Sequence, residues 1–205
     1  NGSYGKLMKA YYAKQDAEKL SGKGDTSQKL TLMKTSADSL KKSADALNDS
    51  SLWEKKKIKK KDEKTGEEIE VEDYDWDKIT KAVKSFVEDY NDVVKEAGES
   101  NTKDVLRNAS WMTGMTDKNS NMLAKIGITI GKGNKLELDE DALKQADISS
   151  LKTVFTGYNS FVSKISQKAT GISNAANRAS ATYTNNGTYS KTDSSLTSSK
   201  IDKEV

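Results

Sequence analysis

The sequence predicts a mainly α protein: an elongated antiparallel helical bundle, coiled-coil-like in its packing, with one or two small β-hairpins. Three observations carry this. Apolar residues recur at alternating spacings of three and four in three separate segments, the period of a narrow helix seam. No proline occurs in 205 residues, so nothing removes an i→i−4 donor or forces a kink. Hydrophobic residues make up 34% and charged residues 32%. That balance is lean for one thick core but sufficient for thin seams between helices.

The first predicted helix, Tyr4 to Leu20, presents Tyr4, Leu7, Met8, Tyr11 and Tyr12 and stops near Gly22 and Gly24. The second, Ser27 to Asn48, carries Leu30, Met33, Ala37, Leu40, Ala44 and Leu47, one stripe facing a partner. Thr26 or Ser27 stands ready to accept the free amide hydrogens at its start. Lys55 to Lys61 and Glu67 to Asp73 flank a Lys64-Thr65-Gly66 turn and alternate around Ile58, Ile69 and Val71. One arm is almost wholly lysine and the other almost wholly acidic, so a hairpin sets opposite charges across from each other, worth about 0.2–1 kcal/mol per pair.

Trp76 to Ala97 repeats the seam with Trp76, Ile79, Val83, Phe86, Tyr90, Val93 and Ala97; Asp75 is its expected N-cap and Gly98 its stop. Thr102 to Lys125 places Val105, Ala109, Met112, Met122 and Leu123 on one face, with a break expected between Thr113 and Asn121 where Gly114 and polar residues intervene. A second hairpin is read in Ile128-Thr129-Ile130, a turn over Gly131 to Asn134, and Leu136-Glu137-Leu138, after which Asp139 caps a short helix through Ala146. A last seam runs Tyr158, Phe161, Ile165, Ala169, Ile172, Ala176, Ala179 and Tyr183. The length fits one domain, since domains run roughly 100–200 residues. Residues 1–184 read as a single elongated helical domain, with a charged hairpin insertion at about 52–74 and a small hairpin at about 127–139. Residues 185–205, rich in Ser and Thr, read as a flexible tail. The chain opens at Asn1-Gly2-Ser3 without a methionine, the start of a fragment or trimmed chain as readily as of a whole one.

Composition lowers the expectation of catalysis. With no Cys and no His, the chain has no disulfide, no thiol nucleophile, no cysteine zinc site and no imidazole base or ligand. A formal charge of +3 from 34 basic and 31 acidic residues does not hold a chain to nucleic acid or membrane by bulk charge. No apolar run is long enough to span a bilayer. The remaining candidates each have a blander explanation. Lys55–Lys61 lacks interleaved aromatics for stacking bases and faces the acidic run that would neutralise it. Asp139, Glu140 and Asp141 lack the spacing of a calcium loop and suit a helix N-terminus. Gly131-Lys132-Gly133 lacks the ending of a phosphate loop and suits a turn. Glu67, Glu68, Glu70, Glu72 and Asp73 would need a sugar cleft to act as a glycosidase pair. Tyr11, Tyr12, Trp53, Trp76 and Trp111 offer a ligand surface, but Tyr11 and Trp76 already fit seams. The sequence therefore points to no catalytic residue, no cofactor-binding residue and no metal ligand, and to no enzyme.

Four motifs in order carry a resemblance. Val83-Lys84-Ser85-Phe86-Val87-Glu88-Asp89-Tyr90-Asn91 resembles the "FV-x-x-YN" helix of the flagellar filament-capping, or hook-associated protein two, family. Leu123-Ala124-Lys125-Ile126-Gly127-Ile128-Thr129-Ile130 is similar to its "L-x-x-IGIT" segment, and Lys135 to Leu143 to its "G-x-L-x-LDE-x-x-L" continuation. Val154-Phe155-Thr156-Gly157 resembles its "V-x-x-LF-x-G" close. The resemblance implies a structural protein of the flagellar axial group, exported without a cleaved signal, using no cofactor and catalysing no covalent chemistry. It implies a protein partner, either further copies of itself in a homo-oligomer or a flagellin-like axial protein, and an extracellular place on the bacterial flagellum. Full cap proteins carry large β-rich domains ahead of the "FV-x-x-YN" helix, where this chain has the charged hairpin, and they end in a coiled-coil helix. The alternative reading is a stand-alone helical interaction module, an adaptor or chaperone in the cytoplasm, and a third is a carboxylate-dependent enzyme acting on polysaccharide.

Overall fold

The structure, a computed structural model, describes residues 24–61 and 66–181. The expected Tyr4–Leu20 helix with Tyr11 and Tyr12, Lys64 and Thr65 of the first turn, Tyr183, and the 185–205 tail lie outside the described residues. Within them the fold is mainly α with two small antiparallel hairpins. Helix α1 spans Ser27–Asn48, and its buried residues are Leu30, Met33, Ala37, Leu40, Ala44 and Leu47, the six that the spacing predicts. Thr26 caps it, its side-chain oxygen accepting from the Lys29 amide. A 3₁₀ turn, Ser50–Trp53, leads to strand β1 (Lys56–Lys61) and strand β2 (Glu68–Asp73). Helix α2 spans Trp76–Gly98, capped by Asp75 at 3.0 Å from the Lys78 amide. Helix α3 is Lys103–Lys118 and α4 Ser120–Ala124; β3 (Ile128–Ile130) and β4 (Leu136–Leu138) follow, then α5 (Glu140–Gln145), α6 (Ile148–Phe155) and α7 (Phe161–Ala181).

The four long helices make an antiparallel bundle in which α1 lies between α2 and α7, and α3 closes the ring against α7 and α2. Polar contacts give the directions. Ser166 Oγ donates to Asp45 and Ser173 Oγ to Asp38, both at 2.6 Å, so α1 and α7 run opposite ways. Tyr90 Oη donates to Thr116 Oγ1 across α2 and α3, and Arg178 pairs with Asp104 across α3 and α7. The α1–α7 contacts repeat by the heptad: Lys34 binds Asp38 and Lys41 binds Asp45 along α1, and each aspartate also takes a serine of α7. Between these clasps Ala37, Ala44, Ala169 and Ala176 are all 0% exposed, small enough to let the two backbones approach. Packing uses up the seam, and the clasps set its register.

A small second layer lies on α2. Strands β3 and β4 pair Ile128 with Leu138 and Ile130 with Leu136, β4 packs on α2, and α4 bridges β3 and α6. Trp53, unassigned from sequence, is buried against this layer: its ring stacks on Phe155 at 5.4 Å and its indole N–H donates to the Leu47 carbonyl at 2.8 Å.

Two expectations need correction, and one helix was not foreseen. Gly98 does not stop α2 in a left-handed turn; it is the last helical residue, and Glu99 follows in right-handed geometry. The break expected between Thr113 and Asn121 is found at Asn119, whose side chain donates back to the Met115 carbonyl, while Gly114 itself is helical. Tyr158 is not part of the last seam. It is 83% exposed, because Gly157 turns the chain at φ +98 and Ser160 caps a helix that starts only at Phe161. Helix α6 was not foreseen, although Asp147 caps it and Leu151, Val154 and Phe155 are buried at helical spacing.

Asp25 ties the start of α1 to the α2–α3 turn. It accepts from Ser100 Oγ, from Thr102 Oγ1 and from the amides of Asn101 and Thr102, all within 2.9 Å. Burial pushes its carboxyl up, but these hydrogen bonds outweigh burial and hold it below the ordinary aspartate value. Asp38 and Asp45 are likewise held low, burial being outweighed by their lysine and serine partners. A depressed folded value stabilises the fold above the unfolded value, near 3.9, and that contribution disappears as pH falls through the folded one. Asp89 has the opposite sign: burial raises it, so its protonation offsets part of the loss. We expect melting temperature to hold between neutrality and about pH 5 and to fall below about pH 4. Asp25→Ala should cost about 1.5–3 kcal/mol at neutral pH and shallow that acid slope, by denaturant titration across pH.

Candidate functional site

The four motifs converge on one place, the junction of α2 with the β3–β4 layer and the start of α7. Phe86 is 0% exposed and meets Phe161 edge-on at 6.3 Å. Tyr90 is equally buried; burial raises its phenol well above the ordinary value, and its hydroxyl is satisfied by Thr116. Asn91 faces outward from the same helix turn and clamps β4. Its amide nitrogen donates to the Leu136 carbonyl at 2.9 Å, while its side-chain oxygen accepts from the Leu136 amide at 2.7 Å. A side-chain amide thus serves β4 as a third strand would, satisfying both backbone groups of one residue.

The glycine of the second motif has a steric reason. Gly127 sits at φ +80, and a Cβ built there would stand 2.6 Å from the Asp139 carbonyl oxygen. That closeness lets the Asp139 amide donate to the Gly127 carbonyl at 2.8 Å, closing the hairpin at its base. Ile126 and Ile128 on either side are wholly buried. Asp139 then caps α5, accepting from the amides of Asp141 and Ala142. In the fourth motif Val154 and Phe155 enter the core and Gly157 donates its amide to Asn48 at the end of α1. These residues hold helices and strands in register. They form a framework.

The other residues singled out from the sequence are dispersed. Glu140 pairs with Lys84 of α2 at 3.3 Å. Gly131, Lys132 and Gly133 form the β3–β4 connection, with Gly133 at φ +71. Lysines and acids of β1 and β2 face each other across the ladder, Lys57 opposite Glu72, Lys59 opposite Glu70 and Lys61 opposite Glu68. Trp76 is half-buried against Tyr74. Trp111 is 62% exposed on α3, with the Lys168 ammonium 5.0 Å above its ring. A groove of about 380 Å³ between α1 and α2 has Lys42, Lys78 and Lys81 on its rim and one acid, Asp89. A second of about 350 Å³, beside Tyr90, also holds one acid, Asp117. Neither brings two carboxylates together. A wider groove of about 530 Å³ is lined by Asp25 and Asp104, the first held by Ser100 and Thr102 and the second paired with Arg107 and Arg178. Among the described residues no group of acids is placed to hold a metal ion, and no helix is long and apolar enough to cross a membrane.

The family described as flagellar hook-associated protein 2 C-terminus matches residues 100–204, just over half of the 205. The chain belongs to that family. The match contains the second, third and fourth motifs; the "FV-x-x-YN" helix lies ahead of it. No curated protein and no solved structure matches the chain. Membership of the hook-associated family gives the chain a structural character linked to the flagellar cap, in keeping with motif residues that serve packing. Sequence reasoning missed the use of Asn91. Its signal was an amide on the polar side of a seam, next to a buried tyrosine.

The clamp and the glycine are separately testable. Asn91→Ala leaves the Leu136 amide and carbonyl without their partner and should cost about 1–3 kcal/mol, with faster hydrogen exchange confined to β3 and β4. Gly127→Ala combines a positive φ with a backbone clash and should cost about 1–3 kcal/mol or more. Denaturant midpoints unchanged in both variants would remove the framework role assigned to the motifs.

Proposed function

We propose that this chain is a non-enzymatic structural subunit of the filament-cap type, which associates with copies of itself or with flagellin-like axial helices outside the cell. The carrying observation is the family match over residues 100–204. Supporting it, the motif residues are spent on holding a rigid bundle and small sheet in register. In this reading the chain uses no cofactor and no metal, and binds neither nucleic acid nor lipid bilayer. Residues 1–184 act as one unit and 185–205 as an appended tail.

One expectation changes with the structure. The seams of α1, α2 and α7 are buried inside the subunit, so they cannot also be the faces that join subunits. Association must use surfaces outside the seams. The second reading is a helical adaptor or chaperone in the cytoplasm. It draws on the charged hairpin β1–β2, which lies ahead of the matched residues 100–204.

Immunoblotting of sheared, washed surface filaments against cytosol decides between them. Enrichment with filaments is the expected result; confinement to the cytosol would leave the family membership standing and give the adaptor reading the lead. Ile165→Asp places a charge at a wholly buried position and should cost several kcal/mol, roughly the penalty for an unpaired buried charge. It should abolish cooperative melting rather than disperse a folded oligomer.

A further inference from the structure

With the helical seams closed within the subunit, the hairpin β1–β2 presents a different kind of contact surface. It is a two-stranded sheet, and among the described residues no other element packs on it extensively. Each strand therefore has one paired edge and one outward edge, and an outward edge offers backbone donors and acceptors to any strand laid beside it. The two edges have opposite sign. β1 carries Lys56, Lys57, Lys59, Lys60 and Lys61; β2 carries Glu68, Glu70, Glu72 and Asp73. The base is held in place, with Lys55 over the Tyr74 ring at 5.7 Å and Lys60 paired to Asp73 at 2.6 Å. The charges project from a fixed stem.

Edge lysines ordinarily block edge pairing, because a second identical edge brings like charges face to face. That rule forbids β1 on β1 and β2 on β2 here. It does not forbid β1 of one copy on β2 of another, where lysine meets acid. Since β1 and β2 are antiparallel within the hairpin, a copy shifted sideways keeps its strands antiparallel at the new junction. The ladder then continues with lysine and acidic strands in alternation. The pleat carries the second face along as well: Ile58, Val71 and Ile69 share it, and Ile69 is 40% exposed, so the apolar stripe also extends from copy to copy.

We propose that the β1 edge of one copy pairs with the β2 edge of a second copy in a head-to-tail contact selected by charge. The inference rests on the reading of the chain as a self-associating structural protein and names the surface used. Such a contact is heterologous: each addition leaves a lysine edge at one end and an acidic edge at the other, so copies propagate into a ring or a row and do not stop at a two-fold dimer.

The sequence has no cysteine, which makes single-cysteine cross-linking specific. Full-length Lys59→Cys and Glu70→Cys proteins, both altered at exposed positions, are mixed in equal amounts under mild oxidation at low ionic strength. Lys59→Cys with Glu72→Cys samples the register shifted by two residues, which keeps the same faces together. The mixed dimer should exceed the two homodimers together by at least about fivefold, the factor that a few cross-strand charge pairs supply. The excess should shrink in about 0.5–1 M salt, where exposed charges are screened within a few ångströms. Mixed dimer equal to the sum of the homodimers, or no cross-link at all, overturns the proposal. Sedimentation of the unaltered chain separates the two readings. Association without the mixed cross-link removes the hairpin contact alone, whereas a monomer at every concentration, also without cross-link, removes self-association with it.

Discussion

Helix α7 lies antiparallel along α1, and α2 and α3 close the bundle against this pair. The pairing needs close backbones, supplied by the wholly buried alanines 37, 44, 169 and 176, and it needs one register out of several that a repeating seam allows. A heptad slip would keep most apolar residues on the same face, so apolar packing alone discriminates weakly. The two clasps add specificity because both form together in this register, whereas a heptad slip that brings Asp38 to Ser166 keeps that one alone. Burial of the seam drives association, and partly desolvated carboxylates decide where along the helix it settles.

The small layer on α2 shows the same division of labour. Isoleucines 126 and 128 and Phe155 supply buried area, while Asn91, Gly127 and Asp139 supply direction. This explains why motifs that are weak one at a time occur together. An asparagine clamp has value only if β4 lies beside it, β4 lies there only if Gly127 admits the Asp139 carbonyl, and Asp139 ends the strand by starting a helix.

Much of this fold was legible in the sequence, and the reasons differ by element. The α1 seam was read residue for residue because burial on a lone helix face is a periodic signal, and its cap was read because Thr26 precedes the first apolar turn. The charged hairpin was legible from sign alone. Glycine misled at Gly98, which sits in ordinary helical backbone, while the positive glycine angles fall at 66, 127, 133 and 157. Tyr158 fitted the seven-residue period of α7 by coincidence, the period being blind to where a serine cap starts the helix. Helix α6 was missed because eight residues hold barely two turns, too few for periodicity to stand out. The partners of Trp53 and Asn91 were not legible, since Phe155 and Leu136 lie far away in the chain.

The order of elements along the chain also bears on how the molecule comes into being. Helix α7, one wall of the bundle, is the last described element to be synthesised. Until it arrives, α1 has only α2 beside it and keeps half of its apolar stripe in water, although both helices are complete. Contacts between distant segments form late and at greater entropic cost than local ones. The described bundle can therefore close into a rigid body only after α7 has been made.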